Sequence, residues 1–262
     1  MTVPVRLTHI GGPTLLVEAH GWRILSDPTF DPPGRRYGFG WGTSSVKTAG
    51  PAVPADDLGP LDLVLLSHDH HADNLDDAGR ALLPGARSVV TTPSGARRLA
   101  AANTQGVAPW STATVSAPGL PDLTITATPC RHGPPLSRPI AGEVVGFALQ
   151  WADDPAVVWV SGDTVLYDGV REVASRLQVD VAVLHLGSVR FGLTGPLRYS
   201  MSGRDALELL ALIRPRVAVP VHFEGWSHFS EQEEALHDVL DTADADVRAR
   251  LRWLTRGEPL DV

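Results

Sequence analysis

Residues 66–76 read LSHDHHADNLD, three histidines and three aspartates behind an apolar run. The preceding residues, LDLVLLS, form a continuous apolar stretch of the kind a strand buried on both faces requires. The cluster therefore stands at the carboxyl end of a strand. Three imidazoles and two carboxylates crowded there would suffer desolvation and mutual repulsion on protonation unless a cation collected them. HxH on an extended segment would send His68 and His70 the same way, as two ligands of one ion.

Outward from this point the chain alternates strands and helices. SVVTT, LTITATP, VVGFALQW, AVVWVSGD, DVAVLHLG and RVAVPVH read as strands. DDAGRALL, SGARRLAAAN (opened by a serine cap), VREVASRL, SGRDALELLALI and SEQEEALHDVL read as helices. VRLTHI, TLLVEA and WRILSD, separated by GGP and HG, form an opening antiparallel meander. Residues 28–60, rich in Gly, Pro and aromatics without a strand or helix period, read as one long ordered loop, and loops of that length in compact domains are more often functional than idle. The pattern is α/β and layered, with no linker or repeat, and residues 1–262 are expected to form one domain.

Composition narrows the chemistry. The chain has 262 residues, 43% of them hydrophobic, and a single cysteine, Cys130, so neither an intramolecular disulfide nor a cysteine-based metal cluster is available. The formal net charge of -8 argues against nucleic acid or an anionic membrane as the main partner and leaves a small-molecule substrate. The N-terminus lacks a basic region followed by an apolar signal segment, and a cytoplasmic protein is expected. A homo-oligomer is compatible with the sequence.

Several strands end on a metal-ligating residue: His68, His132 after ITATPCR, Asp163 after VVWVSG, and His222 after VAVPV. Sites in α/β sheets form outside the strands' carboxyl ends, so these endings can converge. His68, His70 and His132 would make a three-histidine face. Asp73, Asp163 and His222 could hold a second ion roughly 3.5 to 4 Å away, with Asp163 bridging. Zinc, manganese or iron accept such nitrogen and oxygen donors, so one or two divalent ions are expected, zinc first. His9, His20, His185 and His237 read as structural histidines.

With these motifs on the page, the sequence resembles the metallo-β-lactamase superfamily, and within it the ascorbate-6-phosphate lactonases and N-acyl-phosphatidylethanolamine phospholipase D-like enzymes. The resemblance spans nearly the whole chain: LTHIGGPTLLVEAHGWRILSDPTFD, LVLLSHDH, TPCRHGP, WVSGDT, HLGS and VPVHF. It implies a four-layer αββα sandwich with a mononuclear or dinuclear metal site at one edge, and hydrolysis. The family pattern HxHxDH is broken here, because Ala72 and Asp73 stand where an Asp and a His are expected. A one-residue insertion restores Asp73 to the aspartate role and sets Asn74 in the histidine position, or else His71 rather than His70 is the second ligand. Either way the second metal position is weakened.

Asp73 and His228 are the candidate catalytic groups, His228 as proton donor to a leaving group. Glu224, near it, could donate a proton or contact substrate. Arg131, with Arg190 and Arg198, could bind an anionic group. Tyr37, Phe39 and Trp41 could wall the pocket from the long loop, and Asp27 could buttress a histidine. These readings lead to a metal-dependent hydrolase acting on a small ester or lactone, or on a phosphodiester. The alternative is a catalytically degenerate relative that binds a ligand or a partner around a structural metal; redox chemistry at iron is a third reading.

Overall fold

The computed structural model describes residues 4–262. In chain order its first half holds β1 (Arg6–Gly11), β2 (Thr14–Ala19), β3 (Trp22–Ser26), β4 (Arg36–Gly38), β5 (Ser44–Val46), β6 (Leu63–Leu65), α1 (Asp77–Leu82), β7 (Ser88–Thr91), α2 (Pro93–Leu99), β8 (Thr104–Gly106) and β9 (Thr112–Val115). The second half adds β10 (Leu123–Pro129), α3 (Arg138–Ala141), β11 (Val145–Trp151), β12 (Val157–Val160), α4 (Asp168–Arg176), β13 (Val179–His185), α5 (Gly203–Ile213), β14 (Val217–Val221), α6 (Glu233–Leu240), α7 (Ala245–Arg250) and β15 (Pro259–Asp261).

Two sheets form, in the orders β15-β1-β2-β3-β6-β7-β8 and β14-β13-β12-β11-β10-β9. Each is antiparallel at one side and parallel at the other: β3, β6, β7 and β8 run together, as do β12, β13 and β14. The parallel strands β6, β7, β12, β13 and β14 are rich in Val and Leu because both faces are covered, whereas the edge strand β8, Thr-Gln-Gly, is largely exposed. One face of each sheet meets the other in a core that includes Leu7, Trp22, Leu65, Phe147, Val160 and Val219. The outer face of the second sheet packs under α4, α5 and α6 through residues such as Trp159, Val173, Leu209 and Leu236. The outer face of the first is covered by Leu58, Leu75, Leu83 and their neighbours. This is the expected αββα sandwich.

Local chemistry explains the element ends. Ser202 caps α5, accepting from Asp205 N while the Asp205 carboxylate accepts from Ser202 N, so two otherwise unpaired amides are satisfied reciprocally. Helix α2 starts earlier than the serine reading placed it: Thr92 is the cap, accepting from Gly95 N, with Pro93 in the first turn where its missing N–H costs nothing. The long loop also differs from expectation. It contains the β4–β5 hairpin, whose three-residue strands and Gly40-Trp41-Gly42 tip are too short to leave a period. The hairpin is anchored below by Lys47, whose ammonium is buried against Asp76 at 2.7 Å. Among the described residues, no helix is long and apolar enough to cross a membrane.

Candidate metal centre

Strand β6 leads through Leu66 and Ser67 to His68, and β10, β12, β13 and β14 deliver His132, Asp163, His185 and His222 at their carboxyl ends. Because β10 runs antiparallel to β11, and β11 to β12, all of these ends lie at one edge of the sandwich. There the nitrogens of His68, His71 and His132 meet: His68 Nε2 lies 3.1 Å and His132 Nε2 3.2 Å from His71 Nδ1. Those separations approach the edge of a tetrahedron with metal–nitrogen bonds of about 2.0–2.1 Å. All three side chains are buried.

The opposite ring nitrogens fix which lone pairs point inward. His132 Nδ1 donates to Tyr199 O at 2.6 Å, and His68 Nδ1 lies 3.0 Å from Ser67 Oγ. Such outer contacts set tautomer and ring angle in metal-ligating histidines. Burial, reinforced by the neighbouring imidazoles, holds His68 well below the ordinary histidine range and pulls His71 down to about 3. Neutral imidazoles with converging lone pairs are the form a cation takes up.

His70 does not join them. The chain coils after His68 instead of staying extended, and Asn74 N and Leu75 N both donate to His71 O. The two inward-facing histidines are therefore three residues apart, His68 and His71, while His70 turns outward beside Asp69 and Arg98.

Asp163 is the second focus. Its Oδ1 accepts from His185 Nδ1 at 2.9 Å and from His222 Nδ1 at 2.7 Å, and all three side chains are fully buried. Gly162, with φ 63°, turns the chain into Asp163; a Cβ there would stand 2.6 Å from Val145 O. His222 itself takes φ 58°, a left-handed conformation that is costly for a residue with a side chain and concentrates at functional sites. Its backbone N–H donates to Gly12 O, which holds the turn. Burial lowers the His222 pKa, but the Asp163 and Asp73 carboxylates outweigh it and hold the group up at about 10. Asp163 and Asp73 both stay well below the carboxylate range, since histidine contacts overcome their burial.

Asp73 Oδ2 lies 3.7 Å from His222 Nε2 and 3.2 Å from His228 Nε2. Neither contact is an aligned hydrogen bond, and His222 Nε2, His185 Nε2 and both His228 ring nitrogens are buried without a hydrogen-bond partner. Asn74 is buried between the carboxylates; with its amide nitrogen facing them it donates to Asp163 Oδ2 at 3.1 Å and Asp73 Oδ1 at 3.2 Å. The donor set thus fits a metal: three neutral nitrogens in one place, and beside them two carboxylates with unpartnered imidazole nitrogens.

The remaining sequence candidates separate. Asp27, at φ 36°, accepts from Ser67 N at 2.7 Å and so steadies the segment carrying His68; burial, then the Asp163 charge, pushes its pKa up to about 8. Phe39 and Trp41 wall a small pocket over His71, Asp73 and His132, and Tyr37 packs behind them on Trp226. Glu224 turns to a separate cleft, accepting from Gly12 N at 2.7 Å and pairing with Arg256 at 3.3 Å. Arg131 stacks over Tyr167, 4.6 Å from its ring centroid, and borders a neighbouring cavity. Arg198 is tied to Ser202 and Asp205. His185, which reads as structural from sequence, holds Asp163; it is the last residue of β13, whereas His68, His132, Asp163 and His222 lie just past the ends of their strands.

A family model described as "Beta-lactamase superfamily domain" matches residues 22–223, which include His68, His71, Asp73, His132, Asp163, His185 and His222, with His228 just beyond. The chain belongs to the beta-lactamase superfamily. A UPF0173 metal-dependent hydrolase of Opitutus terrae is 30% identical over 226 residues, 84% of this chain and 85% of its own length. One from Caldivirga maquilingensis is 26% identical over 92% of each chain. Among solved structures, an isothiocyanate hydrolase from Delia radicum gut bacteria superposes with a TM-score of 0.79 at 20% identity, covering 98% of this chain and 100% of that one. This member of the superfamily is accordingly a metal-dependent hydrolase with a histidine and aspartate site able to bind metal.

Proposed function

We propose that this superfamily member hydrolyses a small carboxylic ester or lactone, with one divalent ion, zinc first, on His68, His71 and His132. The convergence of three inward-facing imidazole nitrogens from two sheets is the observation that carries the reading. An ion held there supplies Lewis acidity and water ionised near neutral pH. Asp163, Asp73 and His222 form a second, weaker position, since the buried Asn74 amide turns N–H groups toward the carboxylates where an imidazole would offer a lone pair.

Around that centre the chain's own groups divide the work. Asp73 faces the pocket and, held ionised, accepts a hydrogen bond that orients the attacking water. His228 Nε2, next to Asp73 and free of other partners, delivers a proton to the leaving oxygen. His185 holds Asp163 in place, and Tyr199 O orients His132. Trp41 and Phe39 bound the substrate and exclude water. The ester or lactone preference follows the sequence resemblance to the ascorbate-6-phosphate lactonases.

Elemental analysis of protein purified without added metal or chelator tests the centre. At least one zinc, manganese or iron per chain is expected, lost in His71→Ala. Any metal beyond the first should disappear in Asp163→Ala and His222→Ala. A panel of lactones, esters and phosphodiesters tests the chemistry, and absence of metal-dependent turnover on all of them would overturn it.

A further inference from the structure

The small pocket over His71 and His132 has apolar walls: Phe39 and Trp41 from the β4–β5 hairpin, Val189, Phe191 and Tyr199 from the segment after β13, and Ala141 from α3. Phe191 bridges the two sides, its ring centroid 5.7 Å from Phe39 and 5.6 Å from Tyr199. Among the described residues no lysine or arginine lines it, and its one acidic group is Asp73. Its two threonines are already committed, the Thr43 hydroxyl to Gly40 O and the Thr194 hydroxyl to Phe191 O. The cavity measures about 50 Å³, room for the reacting group alone, so the rest of a substrate would lie along the exposed Trp41 that forms part of its wall.

Away from the reacting centre that a bound ion would hold, a carboxylate or phosphate entering here would lose its hydration, gain no counter-charge from the walls and face the Asp73 carboxylate. A neutral molecule would replace water against three aromatic rings. We infer that this site selects a small, uncharged substrate whose reacting centre carries an apolar or aromatic group, with Phe191 as a specificity-determining residue. This rests on the metal-hydrolase reading and adds the polarity of the substrate to it. The adjoining cavity of about 360 Å³, which shares His132 and is bordered by Arg131 and Arg138, is where an anion would go instead. Of its guanidinium groups, Arg138 is paired with Glu143, whereas Arg131 lies over Tyr167 with its Nε buried and without a hydrogen-bond partner.

Two matched pairs of probes test the inference on metal-loaded protein. The first is benzyl mercaptan against 4-(mercaptomethyl)benzoate, with binding followed by calorimetry. The second is phenyl acetate against 4-acetoxybenzoate, with kcat/KM compared. The neutral member of each pair is expected to be favoured at least tenfold, and Phe191→Arg to erase most of that preference without changing metal content. Equal or inverted preference would overturn the inference, as would a preference untouched in Phe191→Arg, or failure of both thiols to bind. An inverted preference abolished by Arg131→Leu would place the substrate in the neighbouring cavity. A tenfold binding preference without turnover of either ester would sustain the polarity of the pocket and count against ester hydrolysis, so the two readings fail separately.

Discussion

Replacing Lys47 by methionine keeps a long apolar stem against Trp226 but removes the buried cation paired with the buried Asp76 carboxylate. Asp76 accepts four hydrogen bonds: Phe30 N and Gly79 N on Oδ1, Asp31 N and Lys47 Nζ on Oδ2, all at 2.7 to 2.8 Å. Breaking a buried pair from one side costs about 3–5 kcal/mol, because the remaining charge is left uncompensated. Three amide donors persist around Asp76, so the lower end applies, about 3 kcal/mol. For a chain of this size that is a fall in Tm of roughly 6–12 °C, at about 2–4 °C per kcal/mol. Denaturant melts of metal-free protein would measure it, with the slope checked for constancy and Asp76→Asn and the double variant completing the cycle. Residues 28–60 carry Phe39 and Trp41 to the pocket, so kcat/KM should fall together with stability. A loss below about 1 kcal/mol, with additive single variants, would refute the claim that this pair fastens the loop.

Metal content separates the neighbouring histidines: His71→Ala should lose the ion, whereas His70→Ala should retain it, read by elemental analysis. Asn74→His restores an imidazole between Asp73 and Asp163 and should raise metal per chain toward two; unchanged stoichiometry would mean that residue 74 does not limit the second position. Acid stability follows from His71, whose folded pKa of about 3 lies far below that of an unfolded histidine, about 6.5. Between those values the unfolded metal-free chain binds the extra proton, so stability is lost as pH falls, by at most about 1.4 kcal/mol per pH unit for this group. Wild type should therefore lose more stability than His71→Gln between pH 6.5 and 4, and parallel profiles in denaturant melts would refute it.

The parallel strands β6, β12 and β14 were legible because double burial writes them as unbroken apolar runs, antiparallel β10 because its apolar residues alternate, and each stretch led to a polar residue at the shared edge. That alone located His68, His132, Asp163 and His222. The choice between His70 and His71 was not legible, because it depends on whether the chain after His68 extends or coils, and the coil is set by the His71 carbonyl accepting two amides. His185 was passed over for a different reason: a lone buried histidine has no spacing partner in sequence, and its meaning comes from Asp163, twenty-two residues earlier and one strand away. The β4–β5 hairpin and the short strand β15 were invisible because three-residue strands carry no measurable alternation.

The donors of the centre come from both sheets, His68, His71 and Asp73 from the loop after β6, His132, Asp163 and His222 from the ends of β10, β12 and β14. An ion on His68, His71 and His132, bound across that seam, would be a cross-link joining residues up to 64 positions apart, closed at no covalent expense and opened by a chelator. At a free metal concentration a thousand times its Kd it would add about 4 kcal/mol to the folded state. Cooperativity between the two halves of the sandwich would then be set partly by the metal supply, and the stripped protein would be the form in which one sheet can loosen while the other holds.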